Sequence, residues 1–357
     1  MEQSMDRKAK HWFWGCLFLA GMLLVLIAVI VIGVDPYFHY HKPLPFLSYR
    51  IYEERYVNDG ISRHFDYDAV ITGTSMSQNF KTSELDELFG THAVKEPFSG
   101  AGFKELSENL DRTLQYGQQV KMVLMPLDYN DLMRNANWQK YEEFPTYLYD
   151  QNVLNDARYV WNKAILYHGV TANITRTLQG EPSTSMDEYS SWVYETGLEH
   201  ILASYTRADQ HPLENPAFTD EDRKQVEENI GQNIIELVNK YPDTEFYFYY
   251  TPYSICYFDG LHLQNALDKQ LAAERLTTEM LLQCPNVKLF NFFDHPEVIC
   301  NLNYYNDKAH YSAEVNSMIL QWIKEEEGLL TTDNYERRLV EEKEFFDNYD
   351  YDSIYEE

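Results

Sequence analysis

Apolar and polar positions follow three regimes along the 357 residues. The first is a block: from Trp12 to Val34, 23 consecutive residues carry no formal charge. At a rise of ~1.5 Å per residue such a helix is ~34 Å long, enough for a hydrocarbon core of ~30 Å. A cleaved signal peptide has a shorter apolar core, about 7–15 residues. Arg7, Lys8 and Lys10 precede the block and Asp35 follows it. The positive-inside rule then puts residues 1–11 in the cytosol, 12–34 across the bilayer and the rest beyond it. A connector rich in Pro and aromatics occupies 35–59. Its His39 and His41 lack a further ligand at suitable spacing and read as polar residues of the membrane interface.

The second regime is an alternation. Runs at 68–72 (DAVIT), 120–127 (VKMVLMPL), 244–250 (TEFYFYY) and 287–293, with a short stretch at 92–98, predict strands. Between and after them, helical spacing appears at 81–89, 104–116, 220–241, 267–282 and 313–324. Strands separated by helices of this length imply a parallel sheet, and five strands imply a three-layer α/β/α domain over 60–330 with order 2-1-3-4-5.

The third regime is polar. An insertion at about 129–219 interrupts the alternation, too long for a loop without structure of its own. Aromatics stud it: Trp138, Tyr141, Tyr147, Tyr149, Tyr159, Trp161, Trp192 and Tyr194. Leaving from the end of the third strand, it is expected to lie over the ligand crevice. The tail, 331–357, has ten acids against three bases and predicts a solvated, partly helical extension.

Composition narrows the function. With 57 acids and 29 bases the formal net charge is −28, which repels phosphate backbones and argues against nucleic acid as a partner. Four cysteines without a CxxC pair exclude a disulfide scaffold and a cysteine-rich zinc module. Cys256 and Cys300 follow adjacent strands and are either a disulfide or separate thiols. Asn173-Ile174-Thr175 has the pattern of a glycosylation acceptor.

Two short stretches carry candidate chemistry. The first strand ends in GTSMS at 73–77, which exposes Ser75 at the C-terminal rim of the sheet, where ligands bind in such folds. A Ser there serves as a nucleophile or as a helix cap. After the fifth strand comes Asp307-Lys308-Ala309-His310. A serine nucleophile needs a base to take its proton, and the imidazole needs a carboxylate to set its tautomer. The same spacing also fits an Asp capping the last helix beside a surface His.

Taken together, the two stretches resemble the blocks of the SGNH (GDSL-like) hydrolase and acyltransferase superfamily. That family has a flavodoxin-like core, a G-D-S-like block after strand one and a D-x-x-H block before the last helix. Gly73-Thr74-Ser75-Met76 matches the first with Thr for Asp, and Asp307 and His310 match the second. The resemblance implies Ser75 as nucleophile, His310 as base and Asp307 as its partner. It places the oxyanion donors at the Ser75 N–H, at Gly100 (with Gly102 as alternative) and at Asn130. The third block, Leu127-Asp128-Tyr129-Asn130-Asp131, lacks the family's usual Gly, and a missing donor costs about 3 kcal/mol of transition-state stabilisation. No metal or organic cofactor is implied. Within the superfamily, the anchor, the Asp-Pro-Tyr-Phe connector and the insertion are most similar to the D-alanyl transfer proteins of teichoic acid synthesis. Expected partners are therefore the lipid bilayer, a membrane-bound O-acyltransferase and an envelope glycan. The expected function is a serine esterase or O-acyltransferase, or a non-catalytic accessory protein on such a transferase.

Overall fold

Each strand expected from an apolar run is present, and the order of the strands explains where a site can form. The structure, a computed structural model, describes residues 2–117, 119–140, 144–150 and 152–355. It comprises two units, Met1–His64 with Glu143–Thr184 and Phe65–Glu142 with Ser185–Glu357.

The second unit is α/β. Its strands are β1 (Ala69–Gly73), β2 (Ala93–Pro97), β3 (Met122–Leu127), β4 (Glu245–Tyr250), β5 (Val287–Phe290) and β6 (Leu329–Leu330), in the order β2-β1-β3-β4-β5-β6. The first five are parallel, and β6 pairs antiparallel with β5 through Leu289–Leu330 and Phe290–Leu329. The sheet thus has six strands where five were expected, because two residues are too short to show a period. β1, β2 and β3 are buried along their whole length, as the near-continuous apolar runs of β1 and β3 require, while β2 buries Lys95 and Glu96 as well.

Chain order reverses between β1 and β3, the switch point at which a crevice opens beyond the strand ends. Pro126 widens it. The β1–β3 ladder runs only through Ala69–Met122, Val70–Val123 and Ile71–Leu124, and Pro126 beyond it has no N–H to give. Gly73 meets the proline ring there at φ +137°, where a Cβ would stand 2.6 Å from the ring carbons. Only glycine fits.

Helices pack in two sets. Thr82–Phe89 packs with Ala313–Lys324, while Leu267–Leu281 packs with Asp220–Ile230 and with Tyr335–Asn348. The last of these lies in the stretch expected to be solvated. It buries Leu339, Glu342 and Phe346, with the Phe346 ring stacked 3.6 Å from Phe258. Residues 356–357 of that stretch lie outside the described residues.

The first unit is built on the helix Glu2–Val34, of which Arg7–Val34 is long and apolar enough to cross a membrane. Asp35 ends it. Its buried carboxylate accepts the backbone N–H groups of His39, Tyr40 and His41 at 2.7–3.0 Å and the Tyr159 hydroxyl at 2.8 Å. The charge is stabilised by these four donors. His39 is engaged with Asp156 at 3.2 Å and His41 with backbone carbonyls.

The insertion is divided between the units. Tyr147, Tyr149, Tyr159 and Trp161 belong to the first, Trp138, Trp192 and Tyr194 to the second, and Tyr141 lies outside the described residues. Asn173 is fully buried, its carbonyl accepting the Arg50 N–H at 2.9 Å, so the sequon is closed in the folded chain. Cys256, Cys284 and Cys300 are free thiols.

Candidate active site

Ser75 begins a single 3-10 turn, Ser75–Ser77, directly after β1. The turn is set by Thr74, whose hydroxyl oxygen accepts the Met76 N–H at 3.3 Å. It is also pinned from the far side by Asn316, which donates to the Met76 carbonyl at 3.1 Å. The helix expected at 81–89 spans Thr82–Phe89, so Ser75 sits on a tight corner of its own rather than on the first turn of that helix.

Thr74 occupies the position where the G-D-S pattern has Asp, and a carboxylate reaches it from the next strand instead. Its hydroxyl donates to Asp128 Oδ2 at 2.5 Å, while Thr251, after β4, donates to Asp128 Oδ1 at 2.6 Å. Asp128 thus ties the ends of β1, β3 and β4 just beyond Pro126.

His310 lies 235 residues from Ser75 in sequence, and its Nε2 is 2.8 Å from Ser75 Oγ. Its loop is a small hairpin: the Asn306 N–H donates to the His310 carbonyl at 2.9 Å, and the Ser312 N–H to the Tyr304 carbonyl at 2.7 Å. Ser254 fastens the loop to the end of β4, donating its N–H and hydroxyl to the Lys308 carbonyl at 3.1 and 2.9 Å. Asp307 shapes the corner. Its Oδ1 accepts the N–H groups of Ala309 and His310, both at 2.8 Å, and its Oδ2 is 2.8 Å from His310 Nδ1.

Charge chemistry assigns the protons. A carboxylate only accepts, so Nδ1 carries the hydrogen and Nε2 is left to accept from the Ser75 hydroxyl. Burial opposes an imidazolium, but the hydrogen bond and charge of Asp307, with Asp128 adding to them, outweigh it; the His310 pKa lies above the ordinary imidazole value. Burial likewise opposes the Asp307 charge, and the bonds from His310 and Ala309 overcome it, holding that carboxyl below the usual carboxylate range. All three side chains are half-buried, so each keeps part of its surface in contact with solvent.

Gly100 lies in the turn after β2, adjacent to β1. The Ala101 N–H closes that turn onto the Phe98 carbonyl at 2.9 Å, and φ at Gly100 is +64°, the left-handed conformation glycine supplies at the third position of a turn. The Lys140 side chain lies over it, with Nζ 3.1 Å from the Ser99 carbonyl. Gly102 is covered by the Trp138 ring. Asn130 follows β3 and is exposed; its side-chain carbonyl accepts the Tyr257 hydroxyl at 3.2 Å, which leaves the amide N–H groups as the side chain's donors. Asp131 is paired with Arg134 at 2.7 Å, and burial beside the Asp128 charge pushes its carboxyl up to about 8. Among the described residues, no group of three or more His, Cys, Asp or Glu side chains could hold a metal ion.

Two aromatics of the insertion expected to lie over the crevice stand beside this site. Trp192 meets the His310 ring edge-on, with centroids 5.8 Å apart, and Tyr194 lies 4.9 Å from Trp192. Behind them, Lys95 of β2 is fully buried and donates to the carbonyls of Gln78, Phe80 and Asp187 at 2.6, 3.0 and 3.2 Å. One ammonium group therefore secures both the loop after Ser75 and the segment that carries Trp192. A buried lysine in a strand signals such a task, but the sequence does not say which carbonyls it serves.

A solved structure of a proposed platelet activating factor from Streptococcus pneumonia aligns with 76% of this chain and 90% of its own, at 15% identity and a TM-score of 0.40. That likeness is too slight to carry an argument. No family model matches the chain, and no curated protein does.

Proposed function

We propose that this chain is a membrane-anchored serine hydrolase or O-acyltransferase of SGNH type, acting on acyl esters of an extracytoplasmic polysaccharide. The observation that supports the reading is the unbroken line of hydrogen bonds from Ser75 through His310 to Asp307, partly exposed and beyond the strand ends of a mostly parallel sheet.

In the first half-reaction, Ser75 Oγ attacks the acyl carbonyl carbon as its proton passes to His310 Nε2. Asp307 stabilises the imidazolium. The tetrahedral oxyanion takes the Ser75 N–H, with Gly100 N–H and the Asn130 amide as further donors. Its collapse breaks the bond to the leaving alkoxide, which takes the proton from His310 and leaves an ester on Ser75. In the second half, water or a sugar hydroxyl gives its proton to His310 and attacks that ester, and Ser75 recovers its proton on release. Hydrolysis and transfer differ only in the nucleophile. Trp192 and Tyr194 favour a sugar, because an exposed aromatic face can stack on a pyranose ring. The net charge of −28 favours a neutral polymer over a polyanion. The long apolar helix supports anchoring, with its basic N-terminal flank on the cytosolic side.

The test is turnover of an activated acyl ester together with covalent labelling by a fluorophosphonate. Ser75→Ala and His310→Ala are expected to lower turnover by about 10³-fold or more, and labelling is expected on Ser75 alone. Absence of labelling with the fold intact would instead support an accessory protein that docks on a membrane-bound O-acyltransferase.

A further inference from the structure

The long helix is not bare along its whole length. Ile27, Ala28, Val31 and Val34 recur at helical spacing on one face, the last two buried and the first two half-buried. Val25, Leu26 and Val29 remain 53–62% exposed. What covers the buried face includes the helices Ala157–Val160 and Ile165–Val170 of the same unit. Trp161, between them, donates its indole N–H to the Leu24 carbonyl at 3.0 Å, and Pro36 packs against Gly169.

That hydrogen bond is a depth gauge. Leu24 lies ten residues before the end of the apolar run at Val34, about 15 Å along the axis. A hydrocarbon core of ~30 Å takes about 20 of the run's residues. Whether that core ends at residue 31 or at residue 34, Leu24 is about 10–15 Å inside its edge. The indole bonded to it is then below the headgroups. Around Trp161, which is 52% exposed, the chain presents Val153, Leu154 and Tyr167 at 73%, 85% and 65% exposure. Arg158 and Lys163 are exposed among them. Apolar and aromatic side chains interspersed with long basic ones suit a segment lying in a lipid interface, its cationic heads reaching the phosphates.

We propose that residues 153–167 form a wedge inserted into the lipid leaflet at the C-terminal end of the helix, with Val153, Leu154, Trp161 and Tyr167 against acyl chains. The proposal rests on the membrane-spanning reading above, and it makes the first unit a two-point mooring rather than a domain on a single tether.

The test uses the full chain in nanodiscs containing phosphatidylglycerol, in a Cys16→Ser, Cys300→Ser background where the two remaining thiols, Cys256 and Cys284, are buried. Nitroxides are placed by Val25→Cys, Leu154→Cys and Val153→Cys, all at exposed positions that the fold does not need. Collision with oxygen, which enters lipid, is compared with collision with a nickel chelate, which does not. The wedge expects oxygen to dominate at all three positions. Oxygen at 25 with the chelate at 153 and 154 overturns the wedge and leaves the anchor standing. The chelate at all three overturns the anchor as well. Low access of both reagents at 153 and 154 marks cover by a second copy of the chain and also overturns the wedge.

Discussion

On the proposed mechanism His310 Nε2 takes the Ser75 proton only when the ring is neutral, so the state of one imidazole would set the pH at which the site works. Asp307 holds its pKa above the ordinary value against the pull of burial. The rate with an activated ester is therefore expected to rise with pH, with a midpoint above the ordinary imidazole value of about 6.5. Asp307→Asn removes the charge that raises the midpoint and leaves the burial that lowers it. That variant should lose about 10²–10⁴ in turnover, and its residual activity should titrate at lower pH than the parent. A pH–rate profile checks both, and an unmoved midpoint would remove Asp307 from its role. At the same scale, Asp128 supplies a carboxylate beside Thr74 from another part of the chain. Thr74 carries no carboxyl group of its own, and the residue that follows β3 brings one to its hydroxyl.

The elements around the site are joined by contacts between residues far apart in the chain. Asp187 caps a helix it does not belong to: its carboxylate accepts the Thr82 hydroxyl, the Ser83 N–H and the Ser83 hydroxyl at 2.6–3.0 Å. Lys81, at the N-cap position itself, makes no such bond. Five residues after Asp187, Trp192 is tied to the Ser75 loop through Asn79, which accepts its N–H at 2.9 Å. Asp187→Ala is expected to cost about 1–2 kcal/mol of stability, the usual range for a lost cap. It should also raise KM by loosening Trp192, with a smaller change in kcat. Trp192→Ala should reproduce the KM effect without the loss of stability, and melting curves beside steady-state kinetics separate the two. These links explain what could be read from the chain alone. The strands and the long helices carry a period of their own, and the Ser75 and His310 blocks carry their chemistry in four-residue stretches. The helix Ile255–Leu263 is apolar nearly all round and has no period to find. Lys95, Asp187 and Trp192 acquire meaning only when segments about 90–120 residues apart meet.

For the whole molecule, the least legible feature is how the acidic C-terminal stretch is held. Its helix places Glu342 opposite Glu274 of Leu267–Leu281, both fully buried. Asn291, just past β5, donates one amide group to Glu274 Oε1 at 2.6 Å and to Glu342 Oε2 at 2.9 Å, and Tyr129 donates to Glu342 Oε1 at 3.3 Å. Two carboxylates so placed cannot both ionise. Burial pushes Glu342 up to about 7 and, with the charge of Glu342, drives Glu274 well above the carboxylate range. In the unfolded chain both titrate near 4.3. Their contribution to stability is thus fully present below that unfolded value and lost as pH rises through the folded values, because the unfolded state gives up protons that the folded state retains. Glu274→Gln removes the group with the greater upward displacement and lets its amide donate to an ionised Glu342. Relative to the parent, this variant is expected to gain stability steadily from pH 5 to pH 8, and the extra stability should reach a few kcal/mol if the pair shares a proton. Denaturation midpoints of the two full-length chains, measured side by side in the same detergent across that range, isolate the pair from the repulsion of the remaining charges. Parallel curves would mean that the two glutamates titrate as ordinary surface acids and that the C-terminal helix is held by Leu339 and Phe346 alone.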